Sequence, residues 1–197
     1  MPNIVSRETK SIKKTPSIQL FLDASTSNTG VVIYEEKSKR IILDNINLSK
    51  IKKPPQMKPE DFEKLKFGCI KNYLDTLKSQ YFITSVYMEG IFIYPKRLKS
   101  SQTLLKLHGF LMFYFIDTPQ YFLSPSVIKK NITGDGHAKK ETVRETLGLK
   151  YGQIFPNEDI SDAFALFASY HEDIDKNKIT VKEEDNERLY NWGKDFR

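Results

Sequence analysis

Four acidic residues stand where acids are costly or conspicuous: Asp23, Glu89, Asp159 and Asp162. Asp23 ends an apolar run, Ile18 to Leu22, and Glu89 ends another, Tyr81 to Met88. An ionised carboxylate at the end of a core strand is destabilising unless something pairs with it. Asp159 and Asp162 are three residues apart, which puts both side chains on one face of a helix. Carboxylates gathered at one place are hard oxygen ligands suited to Mg²⁺. Two such ions about 3.5–4 Å apart clamp the attacking and leaving oxygens of an in-line phosphodiester displacement. A plainer role is open to each acid. Asp23 could close a turn by accepting from the backbone N–H of Ser25 or Thr26. Asp159 and Asp162 could cap a helix and favour its dipole. Glu89 could be a surface acid.

The elements that must carry these residues follow from periodicity. Ile18 to Leu22, the polar turn ASTSNTG and Val31 to Tyr34 read as a hairpin, and Ile41 to Ile46 adds a third strand to an antiparallel meander. Residues 49 to 60, with three prolines, make a loop. From Pro59, Phe62, Leu65, Ile70, Tyr73, Leu74 and Leu77 repeat with helical spacing, a crossover helix leading to the strand Tyr81 to Met88. Ser101 to Phe115 is a nearly all-apolar helix, too broadly apolar for one-sided burial, which suggests a core helix or a dimer interface. Gln120 to Leu123 is a short strand, and Ser124-Pro125 opens a helix. A glycine turn lies between lysine pairs over Val127 to Lys140, and a helix covers Lys140 to Leu147. The last helix follows Pro156, burying Ala163, Phe164, Leu166, Phe167 and Tyr170. This is a mixed α/β domain with a five-stranded central sheet. It spans residues 17 to 171, between a basic arm (1 to 16) and a charged tail (172 to 197) with a short helix near Glu187 to Trp192.

At 197 residues the chain can bury a core without staples, and its single Cys69 cannot form an internal disulfide. An apolar leader and a run of membrane-spanning length are both absent from the sequence, so a soluble, cytoplasmic protein is expected. A net charge of +6 makes a polyanion a reasonable partner. Lys96, Arg97 and Lys99 form one basic cluster, and Lys129, Lys130, Lys139 and Lys140 a second, both suited to phosphate contact.

The motifs LDASTSNTG, MEGIF and DISDAFALF, in this order and spacing, resemble those of the RuvC-type Holliday junction resolvases, of the RNase H-like fold, over roughly Ile18 to His171. The resemblance implies a homodimer that nicks four-way-junction DNA symmetrically with two Mg²⁺ ions per site, or Mn²⁺ in their place, and no small-molecule cofactor. It implies metal-ligand roles for Asp23, Glu89, Asp159 and Asp162. It puts Phe92 where the family has an aromatic wedge, and Lys130 and Lys140 near catalytic and phosphate-contacting lysines, with Lys129 and Lys139 eligible neighbours. The three histidines are not expected to be ligands. Two other readings stand beside it. The turn DASTSNTG also resembles the first phosphate loop of actin-like ATPases and sugar kinases, and the fold could serve as a non-catalytic branched-DNA scaffold.

Overall fold

The computed structural model describes residues 15–91 and 98–182, with backbone alone for 98–100. The basic arm up to residue 14 and the short helix expected near Glu187 to Trp192 lie outside them. β1 (Ser17–Asp23), β2 (Asn28–Glu35) and β3 (Arg40–Asn47) form the expected antiparallel meander. α1 (Pro59–Gln80) has Pro at its first turn with Glu60 and Asp61 near its N-terminus, where the helix dipole favours them. It crosses to β4 (Phe82–Glu89), which runs parallel to β1. α2 (Leu98–Tyr114) leads to β5 (Gln120–Leu123), parallel to β4. Then come α3 (Pro125–Thr133), α4 (Lys140–Tyr151) and α5 (Glu158–Ala168).

The sheet has six strands, in the order β5-β4-β1-β2-β3-β6, rather than five. The additional strand is β6 (Ile179–Val181), lying parallel to β3 after a single 3₁₀ turn at Lys176–Lys178. Three residues among so many charges leave no alternation to read, and β6 is held instead by tertiary partners. Lys182 donates its backbone N–H to the Leu43 carbonyl at 2.8 Å, and its ammonium to Asp44 at 2.9 Å.

Strand alternation divides the core into two layers. Ile18, Leu20, Leu22, Ile33 and Val86 face α1 and α2, where Ile70, Leu74 and Leu107 cover them. Phe21, Val32, Tyr34, Ile41 and Leu43 face the α3 to α5 side, chiefly the buried Phe164 and Phe167 of α5. Tyr170, expected in that core, is 37% exposed because α5 ends at Ala168 and the chain turns away. α4 runs past Leu147 to Tyr151 and is closed by Gly152 at φ +62°, a left-handed conformation that glycine adopts without strain.

One buried acid is structural. Asp44, on the α1 side of β3, accepts from the Tyr73 hydroxyl at 2.6 Å and from its neighbour's backbone, Asn45 N–H, at 2.8 Å. Tyr73→Phe is expected to lower stability by about 1.5–3 kcal/mol, the usual worth of a hydrogen bond to a charged group. Urea unfolding should show a lower midpoint with an unchanged slope.

Candidate active site

β1 and β4 are parallel neighbours, so their C-terminal ends reach the same edge of the sheet. The register pairs Leu22 with Met88, and Asp23 and Glu89 come next. Alternation turns both toward the α5 side, the face of Phe21 and Tyr87. Across the meander Asp23 pairs with Gly30 of β2, and Gly30 with Asn45 of β3. Gly30 leaves a gap in that row, and the start of α5 fills it. A Cβ at Gly30 would lie 1.9 Å from the Asp159 carbonyl oxygen and 2.4 Å from its carbon. The missing side chain thus sets how closely α5 brings Asp159 and Asp162 to Asp23.

The plainer roles open to these acids are taken by other residues. Asn157 is the N-cap of α5, its side chain accepting from Ile160 N–H at 2.9 Å, so neither Asp159 nor Asp162 caps the helix. In the turn after β1, Ser25 N–H donates to the Thr29 hydroxyl at 3.1 Å, which donates to the Ser25 carbonyl at 2.6 Å. Ser27 N–H donates to the Ser25 hydroxyl. The turn is closed by its own hydroxyls.

A cleft of about 200 Å³ opens at this edge, with Asp23, Glu89 and Asp162 facing Lys129 of α3 and Lys140 of α4 over an apolar floor of Ile128, Val143 and Ala165. The Lys140 ammonium donates to the Asp162 carboxylate. Asp159 stands beside the cleft, its Oδ2 accepting from the Asn28 amide at 2.6 Å, and its charge is felt by both Asp23 and Asp162. Burial, then the charges of Asp162 and Glu89, push the Asp23 carboxyl well above the usual range. Burial and Asp162 raise Glu89 to about 7, against the pull of Lys140 and Lys129. Asp162 is raised by burial although Lys140 opposes it. Burial lowers the Lys140 ammonium, but Asp162, Asp23 and Glu89 outweigh it and leave its pKa raised. Burial and mutual repulsion thus disfavour the ionised form of these acids more than the neighbouring lysines favour it.

Among the described residues no group of three or more His, Cys, Asp or Glu stands in ligating geometry. The donor chemistry nonetheless fits a hard divalent cation: oxygen ligands only, mutually repelling, on an apolar floor. The residues that would hold it are Asp23, Glu89, Asp162 and Asp159.

Of the other residues singled out, Lys130 and Lys139 are exposed and do not line the cleft. Lys99 is described only by its backbone in α2, and Phe92, Lys96 and Arg97 lie outside the described residues. His171 bonds Gln19 at 2.9 Å, toward the opposite end of β1 from Asp23. Asn28 and Gly30 are the residues that sequence reasoning missed as parts of the site. The signal for Asn28 was there, since Asn is depleted in strands and both β2 and β3 carry it near the acids.

Two stability measurements follow from this geometry. A carboxyl whose pKa is raised on folding destabilises the fold above its unfolded pKa and not below it. Asp23→Asn should therefore raise the thermal midpoint in EDTA at pH 7 to 8, with the gain vanishing near pH 3. Gly30→Ala collides with backbone, which no rotamer change relieves, and should cost about 1–3 kcal/mol in urea unfolding.

No family model matches the chain. Among curated proteins, it is 30% identical to the crossover junction endodeoxyribonuclease RuvC of Ehrlichia canis over 152 residues, covering 74% of this chain and 90% of that protein. It is 39% identical to the Ehrlichia chaffeensis RuvC over 99 residues, 47% of this chain. That match spans 60% of the relative's length, and the match to the Ehrlichia ruminantium protein spans 62%. Among solved structures, Thermus thermophilus RuvC superposes with a TM-score of 0.52 at 19% identity, covering 77% of this chain and 92% of that one. The yeast mitochondrial Holliday junction resolvase gives a TM-score of 0.52 at 13% identity, over 79% and 78% of the two chains. These two likenesses establish the RNase H-like α/β fold. Identity sustained across nine-tenths of the Ehrlichia canis protein establishes more: the chain belongs to the RuvC family of crossover junction endodeoxyribonucleases.

Proposed function

We infer that the protein is an endonuclease that resolves Holliday junctions or related branched DNA. The observation that carries this reading is the meeting of Asp23, Glu89 and Asp162 in one cleft with Lys129 and Lys140, in a chain of this family. The solved Thermus thermophilus RuvC complex with a Holliday junction substrate has the same fold, with a TM-score of 0.52. Asp23, Glu89, Asp159 and Asp162 would hold two Mg²⁺ or Mn²⁺ ions. Bound there, the ions would activate water and stabilise the leaving oxygen of the scissile phosphodiester, giving 5′-phosphate and 3′-hydroxyl ends.

The chain's own residues bind and orient. Lys140 has a 59% exposed side chain, so it can leave Asp162 and meet a phosphate oxygen without much desolvation. Lys129 guards the Glu89 side of the same cleft and supplies a second phosphate contact. Ile128, Val143 and Ala165 wall the acids from water on the protein side, which strengthens every charge interaction made in the cleft. With Lys130, Lys139 and the cluster at Lys96, Arg97 and Lys99 along the flanking DNA, binding should weaken steeply with salt. Phe92 would lie at the junction. Among the described residues no helix is long and apolar enough to cross a membrane.

Symmetric nicking requires two copies, and α2 offers the surface. Phe113 is 75% exposed and Ile116 67%, with Met112 and Leu105 also exposed on that stretch. Gln120 of β5 donates to the Met112 and Phe115 carbonyls, anchoring this apolar end against the sheet. A homodimer formed through this face would bury it.

Asp162→Asn should lower cleavage of a synthetic four-way junction in Mg²⁺ by at least about 100-fold, more than it costs to lose a residue that only orients a metal ligand. Junction binding in EDTA should persist. Retained cleavage would contradict the assignment, and a wild type that binds junctions but never nicks them would be a scaffold. Sedimentation should give a dimer at micromolar concentration and a monomer for Phe113→Asp.

A further inference from the structure

The meander carries two asparagines on the same face as Asp23. Asn45 donates its amide to the Asn28 side-chain oxygen at 2.7 Å, and Asn28 donates its own amide to Asp159 Oδ2 at 2.6 Å. We propose that Asn28, held by Asn45, is a positioning residue that fixes the Asp159 carboxylate for divalent-cation binding. The proposal rests on the active-site reading above.

The direction of this chain of bonds is dictated by charge. An ionised carboxylate only accepts, so the end of Asn28 that meets it must be the NH₂. The Asn28 oxygen is thereby turned toward β3, where it requires a donor, and the Asn45 amide supplies one. A flipped Asn28 would set its oxygen against a carboxylate oxygen at 2.6 Å and lose the bond from Asn45 as well. Two bonds thus lock one rotamer and one flip state.

Asp159 needs such a lock more than its companions do. Asp162 is held by Lys140, and Asp23 and Glu89 project from paired core strands. Asp159 sits in the first turn of α5, and no cation pairs with it among the described residues. Its backbone is placed by contact with Gly30, and its carboxylate by Asn28. Both residues belong to the first three of β2, so one short segment positions main chain and side chain together. A neutral amide is suited to the task, because it orients the carboxylate without neutralising it. A lysine in its place would compete with the incoming cation.

The test uses the full chain without DNA and Mn²⁺ itself as the probe, with free Mn²⁺ followed by electron paramagnetic resonance. Asn28→Ala should weaken Mn²⁺ binding about 10–100-fold, the usual effect of losing an outer-shell partner. Asn45→Ala, whose amide reaches the site through Asn28, should shift it less in the same direction, and Asn28→Ser, which keeps a donor, should recover part of the loss. Junction cleavage by Asn28→Ala should return toward the wild-type plateau at high Mn²⁺, and circular dichroism should be unchanged. Mn²⁺ affinity in Asn28→Ala equal to that of the wild type would overturn the proposal alone. A wild type that binds no Mn²⁺ would overturn the active-site reading and this inference with it. If Asn28→Ala does not fold, an unshifted affinity in both Asn45→Ala and Asn28→Ser would overturn the proposal.

Discussion

The structure depends on how closely α5 can approach the sheet at Gly30. There a helix backbone occupies the volume that any other residue's Cβ would need. That contact carries acids of α5 onto the edge where β1 and β4 deliver Asp23 and Glu89. Carboxylates at this separation repel, and burial makes the repulsion worse, as the raised Asp23, Glu89 and Asp162 record. Among the described residues, Lys140, Lys129 and the Asn28 amide offset that repulsion only in part. The arrangement persists because the two hydrophobic layers on either side of the sheet fix the elements that bear the acids.

Rigidity and chemistry therefore come from different residues that share the same elements. Phe21 and Leu22 anchor the strand that ends in Asp23, and Phe164 and Phe167 anchor the helix whose first turn carries Asp159. The cleft is a place where stability is given up to crowd acids together, and Lys140 beside it is exposed enough to serve an incoming phosphate. The contrast with Asp44 is instructive. That acid is also buried, yet a tyrosine hydroxyl, a backbone N–H and Lys182 satisfy it, and it sits on the opposite face of the meander.

Much of this was legible in the sequence because it rests on local signals. The meander, the crossover helix and the strand ends at Asp23 and Glu89 follow from alternation and helical spacing. The close spacing of Asp159 and Asp162 was visible and the DISDAFALF motif implied metal-ligand roles, but a capping role stayed open because an acid in a first helical turn looks like a cap until Asn157 is seen filling that place. β6 escaped notice since its pairing with β3 is long-range and its three residues carry no period of their own. The contacts of Gly30 and Asn28 likewise reach across more than a hundred residues, so that an asparagine in a strand marks Asn28 as unusual without naming its partner. Lys129 and Lys130 could not be told apart by position in the chain, and helical geometry alone turns the first to the cleft.

The proposed nuclease activity requires the acids to act as one cation-binding set. The most direct measurement is a crystal structure of the full chain grown with Mn²⁺, with the ion located by its anomalous scattering. Anomalous density is expected in contact with Asp23, Glu89 and the acids of α5, with the Lys140 ammonium withdrawn from Asp162. Saturating Mn²⁺ that leaves no density at this edge and the Lys140 to Asp162 pair intact would contradict the proposed activity.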